Sequence, residues 1–300
     1  VGHGLFAASS TSDTEGAIVS LFLIAAAAAI APLLSSLTRK RVPDVVWLLI
    51  LGVIIGPNVL GLASLTEPIS VFREVGMGML FLIAGTEIDV EEVHGRAGRR
   101  SLLTWLACFG IGLAVSWAAV AASGTTGVAT ATYIALAIAL TSTALGTLLP
   151  ILMEAGVIVR ALAPGNFTMV EGELRTLGFS FLIPLFFVTS GMNISLSAVV
   201  GYPFLLVAFV GAILVVRGVP IVLLERFHGS IERVGWTDAT RIGLYGATGL
   251  PIIVAVTELG VTTGVLPSWL ASLLVVAGAM SVLLFPLVAS LLGRAGGKAR

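Results

Sequence analysis

Residues 17–41 read AIVSLFLIAAAAAIAPLLSSLTRKR, in which 22 uncharged positions are followed at once by Arg39, Lys40 and Arg41. A bilayer core needs about 20 apolar residues to be crossed as a helix. Basic residues collect on the cytoplasmic side of such a span. Val1–Gly16 carries no Lys or Arg and so lacks the basic start of a secretory peptide. The segment therefore reads as a retained membrane helix, and the rest of the chain repeats the pattern.

Composition agrees with that reading. Apolar residues make up 57% of the 300 positions and Asp, Glu, Lys and Arg only 11%. A soluble domain covers its surface with about a quarter charged residues, so most of this chain's outer surface must face lipid. Backbone polar groups in lipid have to be satisfied within each segment, which makes helices the natural element. With 16 basic residues balancing 16 acidic ones, there is no excess charge to attract nucleic acid. Cys108 is the single cysteine, which excludes an intrachain disulfide and a cysteine metal cluster. His94 and His228 have no neighbouring histidine, and no nucleotide loop, nucleophile constellation or cofactor motif is present. The expectation is a protein that is not an enzyme and uses neither cofactor nor metal.

Charge-free stretches divide the chain into nine spans: 17–38, 45–65, 75–89, 101–122, 128–153, 177–200, 203–224, 242–259 and 267–292. The loops on one side then hold Arg39, Lys40, Arg41, Arg96, Arg99, Arg100, Arg160, Arg175, Arg226, Arg233, Arg241, Arg294, Lys298 and Arg300. The other side holds Arg73. This asymmetry places the N-terminus outside and the C-terminus in the cytoplasm of a multi-pass plasma-membrane protein.

Two internal similarities share an offset. FLIAGTEID at 81–89 matches FVTSGMNIS at 187–195, 106 residues on, and LMEAG at 152–156 matches VTELG at 256–260, 104 residues on. The paired spans run in opposite directions, which is the mark of an inverted-topology repeat. The domain reading is an extracellular tail at 1–16, a first half of five helices at 17–156 and a cytoplasmic connection at 157–176. A second half of four helices at 177–292 and a cytoplasmic tail at 293–300 complete it.

The fifth span carries Thr141, Ser142, Thr143, Gly146 and Pro150, and the eighth carries Gly243, Gly246, Gly249 and Pro251. Proline removes a backbone donor and glycine tolerates unwinding. Two interrupted segments in matching positions are the best sequence pointer to a transported ion's site. Arg217 lies inside the seventh span, where a charge costs on the order of 3 kcal/mol and usually has a function. Gly52 and Gly56 form a G-x-x-x-G pattern suited to close helix packing.

Several of these segments carry a resemblance. PDVVWLLILGVIIGP at 43–57 resembles the second-helix signature of monovalent cation:proton antiporters, in the branch of bacterial sodium/proton exchangers and glutathione-gated potassium efflux systems. EVGMGMLFLIAGTE at 74–87 resembles that family's next helix, and ALTSTA at 139–144 its first broken helix. FSFLIPLFFVTSGM at 179–192 is similar to a later helix, and GLPIIV at 249–254 to the second broken one. Arg217 matches the position of a membrane-embedded Lys or Arg.

The resemblance implies an all-α inverted-repeat fold with two crossing broken helices, a homodimer, and exchange of sodium or potassium for protons. The crossing would be built from Thr141, Ser142, Thr143, Thr248, Gly249 and Pro251. It also exposes a departure, since the family places a helix with the ion-binding acid after the first broken helix. Here Glu154-Ala155-Gly156 runs straight into Val157-Ile158-Val159, and no acid lies between Glu154 and Glu171. About four of thirteen helices are absent, so the fold is incomplete and transport impaired. Glu87 is the candidate substitute acid. The alternative is a non-transporting remnant or assembly partner. Arg217, deprived of its acid, is expected to be uncompensated unless water or carbonyls reach it, and Arg217→Leu to be neutral or stabilising.

Overall fold

The computed structural model describes residues 3–39, 42–86, 96–123, 129–141, 167–228 and 235–297. Every regular element among them is helical. Helices α1 (His3–Leu37), α2 (Asp44–Ile55), α3 (Glu67–Thr86), α4 (Arg96–Ser123) and α5 (Thr130–Thr141) come first. They are followed by α6 (Phe167–Leu177), α7 (Ile183–Met192), α8 (Leu196–Gly201), α9 (Pro203–Ile213) and α10 (Val219–His228). The last are α11 (Trp236–Gly246), α12 (Leu250–Thr262) and α13 (Ser268–Gly297).

Five helical stretches are long and apolar enough to cross a membrane: Glu15–Leu37, Leu102–Ala121, Gly172–Met192, Pro203–Leu224 and Ser268–Leu292. A sixth arises if α11 and α12, bent by 40° at a short break, count as one span. α2 and α5 are apolar but only 12 residues each as described. The chain is thus a polytopic helical membrane protein.

Three element boundaries differ from the sequence expectation, each for a local reason. The second span was expected to run to 65, yet α2 stops at Ile55. Pro57 disfavours helical geometry at Gly56, whose ψ is 173°, and the N–H groups of Leu62 and Ala63 turn back onto the Ile55 carbonyl. The third helix was expected from 75 but begins at Glu67. Arg73 and Glu74 interrupt the apolar run, although Pro68 suits a first helical turn. The sixth span was expected to continue to 200, yet it ends at Met192 and restarts as α8. Ser195 caps the new start, its Oγ accepting the Ala198 N–H at 3.4 Å.

The helices gather into two compact units, Val1–Ile88 with Leu152–Ile194, and Asp89–Ile151 with Ser195–Arg300. In the first unit α7 lies against α1, α2 and α3. Its approach to α2 depends on glycine. A Cβ on Gly52 would run into the Val188 carbonyl oxygen, and one on Gly191 into the Leu49 carbonyl oxygen. The small residues thus let the two backbones touch, as the G-x-x-x-G pattern implied. Asn58 fastens the turn after α2 to the end of α7, its Nδ2 donating to the Ile194 carbonyl at 2.9 Å. In the second unit α13 packs on α8, α9, α11 and α12, while α5 packs on α4 and α12.

Two helices contain a single wide turn, at Gly178–Leu182 and Leu214–Gly218. In the first the Ile183 N–H bonds the Gly178 carbonyl, and in the second the Val219 N–H bonds that of Leu214, five residues back in both cases. Each is followed, one residue later, by a proline: Pro184 and Pro220. A proline ring collides with the carbonyl four positions before it, here Ser180 and Val216, both inside the wide turn. Widening the turn gives those carbonyls room, and such turns recur at functional sites.

Candidate functional site

The second wide turn carries Arg217, whose side chain is fully buried. Its Nε donates to the Leu140 carbonyl at 2.8 Å, one terminal nitrogen to Ala139 O at 3.3 Å, and the other to Ala247 O at 3.3 Å. Ala139 and Leu140 lie in the last turn of α5 as described, and Ala247 is the residue that caps α11. One planar guanidinium therefore joins the last described turn of α5 to the end of α11.

The electrostatics favour this placement. The Ala247 carbonyl stands at the C-terminus of α11, where carbonyls have no partner within the helix and carry the negative end of its dipole. A guanidinium presents five N–H donors in a rigid fork, so it can serve several carbonyls at once. Of the two outcomes the sequence left open for Arg217, the one in which carbonyls reach it is the one observed. Main-chain oxygens reach it, and the idea that leucine would be neutral or stabilising no longer follows.

Around this contact the eighth span is broken as its Gly and Pro content implied. α11 ends at Gly246, α12 starts at Leu250, and Ala247, Thr248 and Gly249 between them are not helical. Pro251 occupies the first turn of α12, where its missing N–H costs nothing. Helix α12 runs antiparallel along α5. At one end Thr132 Oγ1 donates to the Val265 carbonyl at 3.1 Å, just past α12. At the other, Arg217 links late α5 to Ala247, just before α12.

The structure brings Thr141, Arg217, Thr248, Gly249 and Pro251 into the same unit. The two threonine hydroxyls turn inward on their own chain. Thr141 Oγ1 donates to the Ala137 carbonyl and Thr248 Oγ1 to that of Tyr245, both at 2.7 Å. Each proton is committed, leaving only oxygen lone pairs for a cation. Ser142, Thr143 and Glu87 lie outside the described residues. Cys108 is buried, as its apolar neighbours implied. Among the described residues no group of His, Cys, Asp and Glu could hold a metal ion.

Sequence reading missed the carbonyls of Ala139, Leu140 and Ala247, because a main-chain acceptor leaves no trace in residue type. Pro220 was the one available signal, since it marks the wide turn that carries Arg217.

Comparison with known proteins bears on what such an arrangement belongs to. A family model described as "Sodium/hydrogen exchanger, transmembrane" matches residues 24–160 and, separately, 153–294. A segment of 56 residues is 43% identical to the "Probable Na(+)/H(+) antiporter GerT" of Bacillus cereus. That segment covers 19% of this chain and 15% of the Bacillus protein.

Proposed function

Because the chain belongs to the sodium/hydrogen exchanger family, we propose that it carries the frame of a secondary transporter that exchanges sodium or potassium for protons. We further propose that its antiport is impaired, because the helix bearing the ion-binding acid is absent. Antiport of this kind needs one carboxylate for which proton and cation compete. Residues 155–170 contain no acid, where the family resemblance calls for a whole helix that has one.

The observation that carries this reading is the two-part family match. Its stretches overlap at 153–160 and so bracket the junction of Gly156 with Val157. In this reading Arg217 is the charge that the missing acid would face, and the break at Ala247–Gly249 is one arm of the crossing. The chain sits in the plasma membrane with its N-terminus outside, works as a homodimer and needs no cofactor.

A second reading, a non-transporting remnant or assembly partner, is favoured by one specific feature. The guanidinium of Arg217 is taken up by structural hydrogen bonds to Ala139, Leu140 and Ala247. Proteoliposomes loaded with a pH-sensitive dye and given a sodium or potassium gradient decide the matter. The expected result is proton movement no greater than in empty vesicles. Robust cation-dependent flux would sink the claim of impairment. Flux abolished by Glu87→Gln would then identify the substitute acid.

A further inference from the structure

The two segments that Arg217 joins present main-chain oxygen to a single cation. Leu140 and Ala139 offer successive carbonyls, met by Nε at 2.8 Å and Nη2 at 3.3 Å, and Ala247 offers another to Nη1 at 3.3 Å. Nε and Nη2 form one edge of the guanidinium, so α5 is held by a two-pronged contact and the break before α12 by the remaining prong. Shells of main-chain carbonyls are one way proteins hold a dehydrated monovalent cation. In interrupted transporter helices, unwound backbone and half-helix C-termini supply such oxygens. Ala247 is of that kind, since it opens the non-helical link between α11 and α12. Here the cation is tethered. Arg217 is 0% exposed, and the wide turn that carries it packs against α4, α5 and α11.

We propose that these carbonyls form a binding site for a guanidinium-type cation, and that Arg217 is its built-in occupant, an internal plug that keeps a transported ion out. The proposal rests on the reading that the break at Ala247–Gly249 is one arm of the crossing. It adds a second cause of impairment beside the absent acid. The class of cation follows from the geometry. Oxygens 2.8–3.3 Å from coplanar nitrogens suit N–H donors, and a guanidinium is weakly hydrated, so it gives up its water readily. A sodium or potassium ion would exchange its hydration shell for a few neutral carbonyls, which does not repay the loss. Positive charge is required because the Ala247 carbonyl carries the negative end of α11. A neutral molecule of the same shape therefore does not replace the plug.

Cutting the plug back to its Cβ gives the test. Arg217→Ala removes the atoms of an N-ethylguanidinium ion and leaves their space, and small molecules do enter enclosed cavities of that kind. The purified full chain in nanodiscs is heated with increasing N-ethylguanidinium, and the thermal midpoint is read. We expect the variant to melt below the parent and to regain about half of the loss along a saturating curve. N-ethylurea, the neutral analogue, and tetramethylammonium, a cation without N–H donors, should restore nothing, and neither should sodium or potassium. The parent should respond to none of them, and nor should Arg217→Leu, whose side chain fills part of the space. Where the alanine variant aggregates, its folded yield after solubilisation with and without N-ethylguanidinium is read instead. Absence of recovery in midpoint or yield overturns the proposal. So does equal rescue by N-ethylurea, a saturable gain from sodium or potassium, or a saturable response of the parent. Absent rescue strikes this site alone, whereas cation-driven proton flux from the parent strikes the impairment, so the two failures read differently.

Discussion

Replacing Arg217 by leucine removes a buried cation and the N–H donors that bond Ala139, Leu140 and Ala247, while keeping an apolar side chain in their place. The carbonyls of Ala139, Leu140 and Ala247 lose bonds of 3.3, 2.8 and 3.3 Å. Losing such a bond at a buried carbonyl costs about 1 kcal/mol at the low end of the usual range. Losing a cation at the end of α11 adds about 0.5–1 kcal/mol. Release from burying the charge offsets part of this, since a guanidinium in a low-dielectric site is itself unfavourable. The balance is a destabilisation of about 2–4 kcal/mol. For a chain of this size that corresponds to a fall in thermal midpoint on the order of 3–6 °C. Size-exclusion chromatography after a heating series, in a mild detergent, reads the midpoint directly. Arg217→Lys keeps the charge without the fork and should lose roughly half as much. A leucine variant as stable as the parent, or more so, would refute the argument. It would mean that desolvation of the cation outweighs everything its bonds contribute.

Other expectations are simpler to check. Gly52→Leu and Gly191→Leu should each force α2 from α7 and cost about 2–4 kcal/mol or abolish folding, whereas Gly78→Ala, with nothing within 4 Å of its added Cβ, should be neutral or slightly stabilising. The same heating series, with yield, separates them. Asn58→Leu should cost about 1 kcal/mol through loss of its bond to the Ile194 carbonyl, and a drop no larger than that of an exposed control such as Ser36→Ala would contradict it. Once Cys108 is replaced by alanine, a new cysteine at Thr125 should react with an impermeant maleimide added outside intact cells. One at Gly98 should react only after permeabilisation, and the reverse pattern would invert the topology.

Much of the architecture was legible because lipid imposes a simple rule on sequence. Charge-free stretches at 101–122, 203–224 and 267–292 lie within a few residues of the helical bounds of α4, α9 with α10, and α13. The break near Gly249 was legible too, since glycine and proline act locally. What escaped notice has a common cause. The early start of α3 was hidden because Arg73 and Glu74 sit inside a helix whose flanks are apolar. The partners of Arg217 were hidden because they are main-chain atoms from segments 77 and 30 residues away. Such acceptors are selected by geometry and can be supplied by any residue type.

The wide turn at Leu214–Gly218 also changes the phase of its helix. One extra residue in a turn advances the chain by about 100° relative to an unbroken α-helix. Side chains before and after Arg217 therefore obey two different wheels, and no single stripe runs the length of the span. The two halves use this freedom separately: α9 takes α13 as its neighbour, whereas α10 takes α11 and α4. A one-residue deletion within 214–218 would bring the halves back into register and rotate one of them off its neighbours, even though every apolar residue in the span but one would survive.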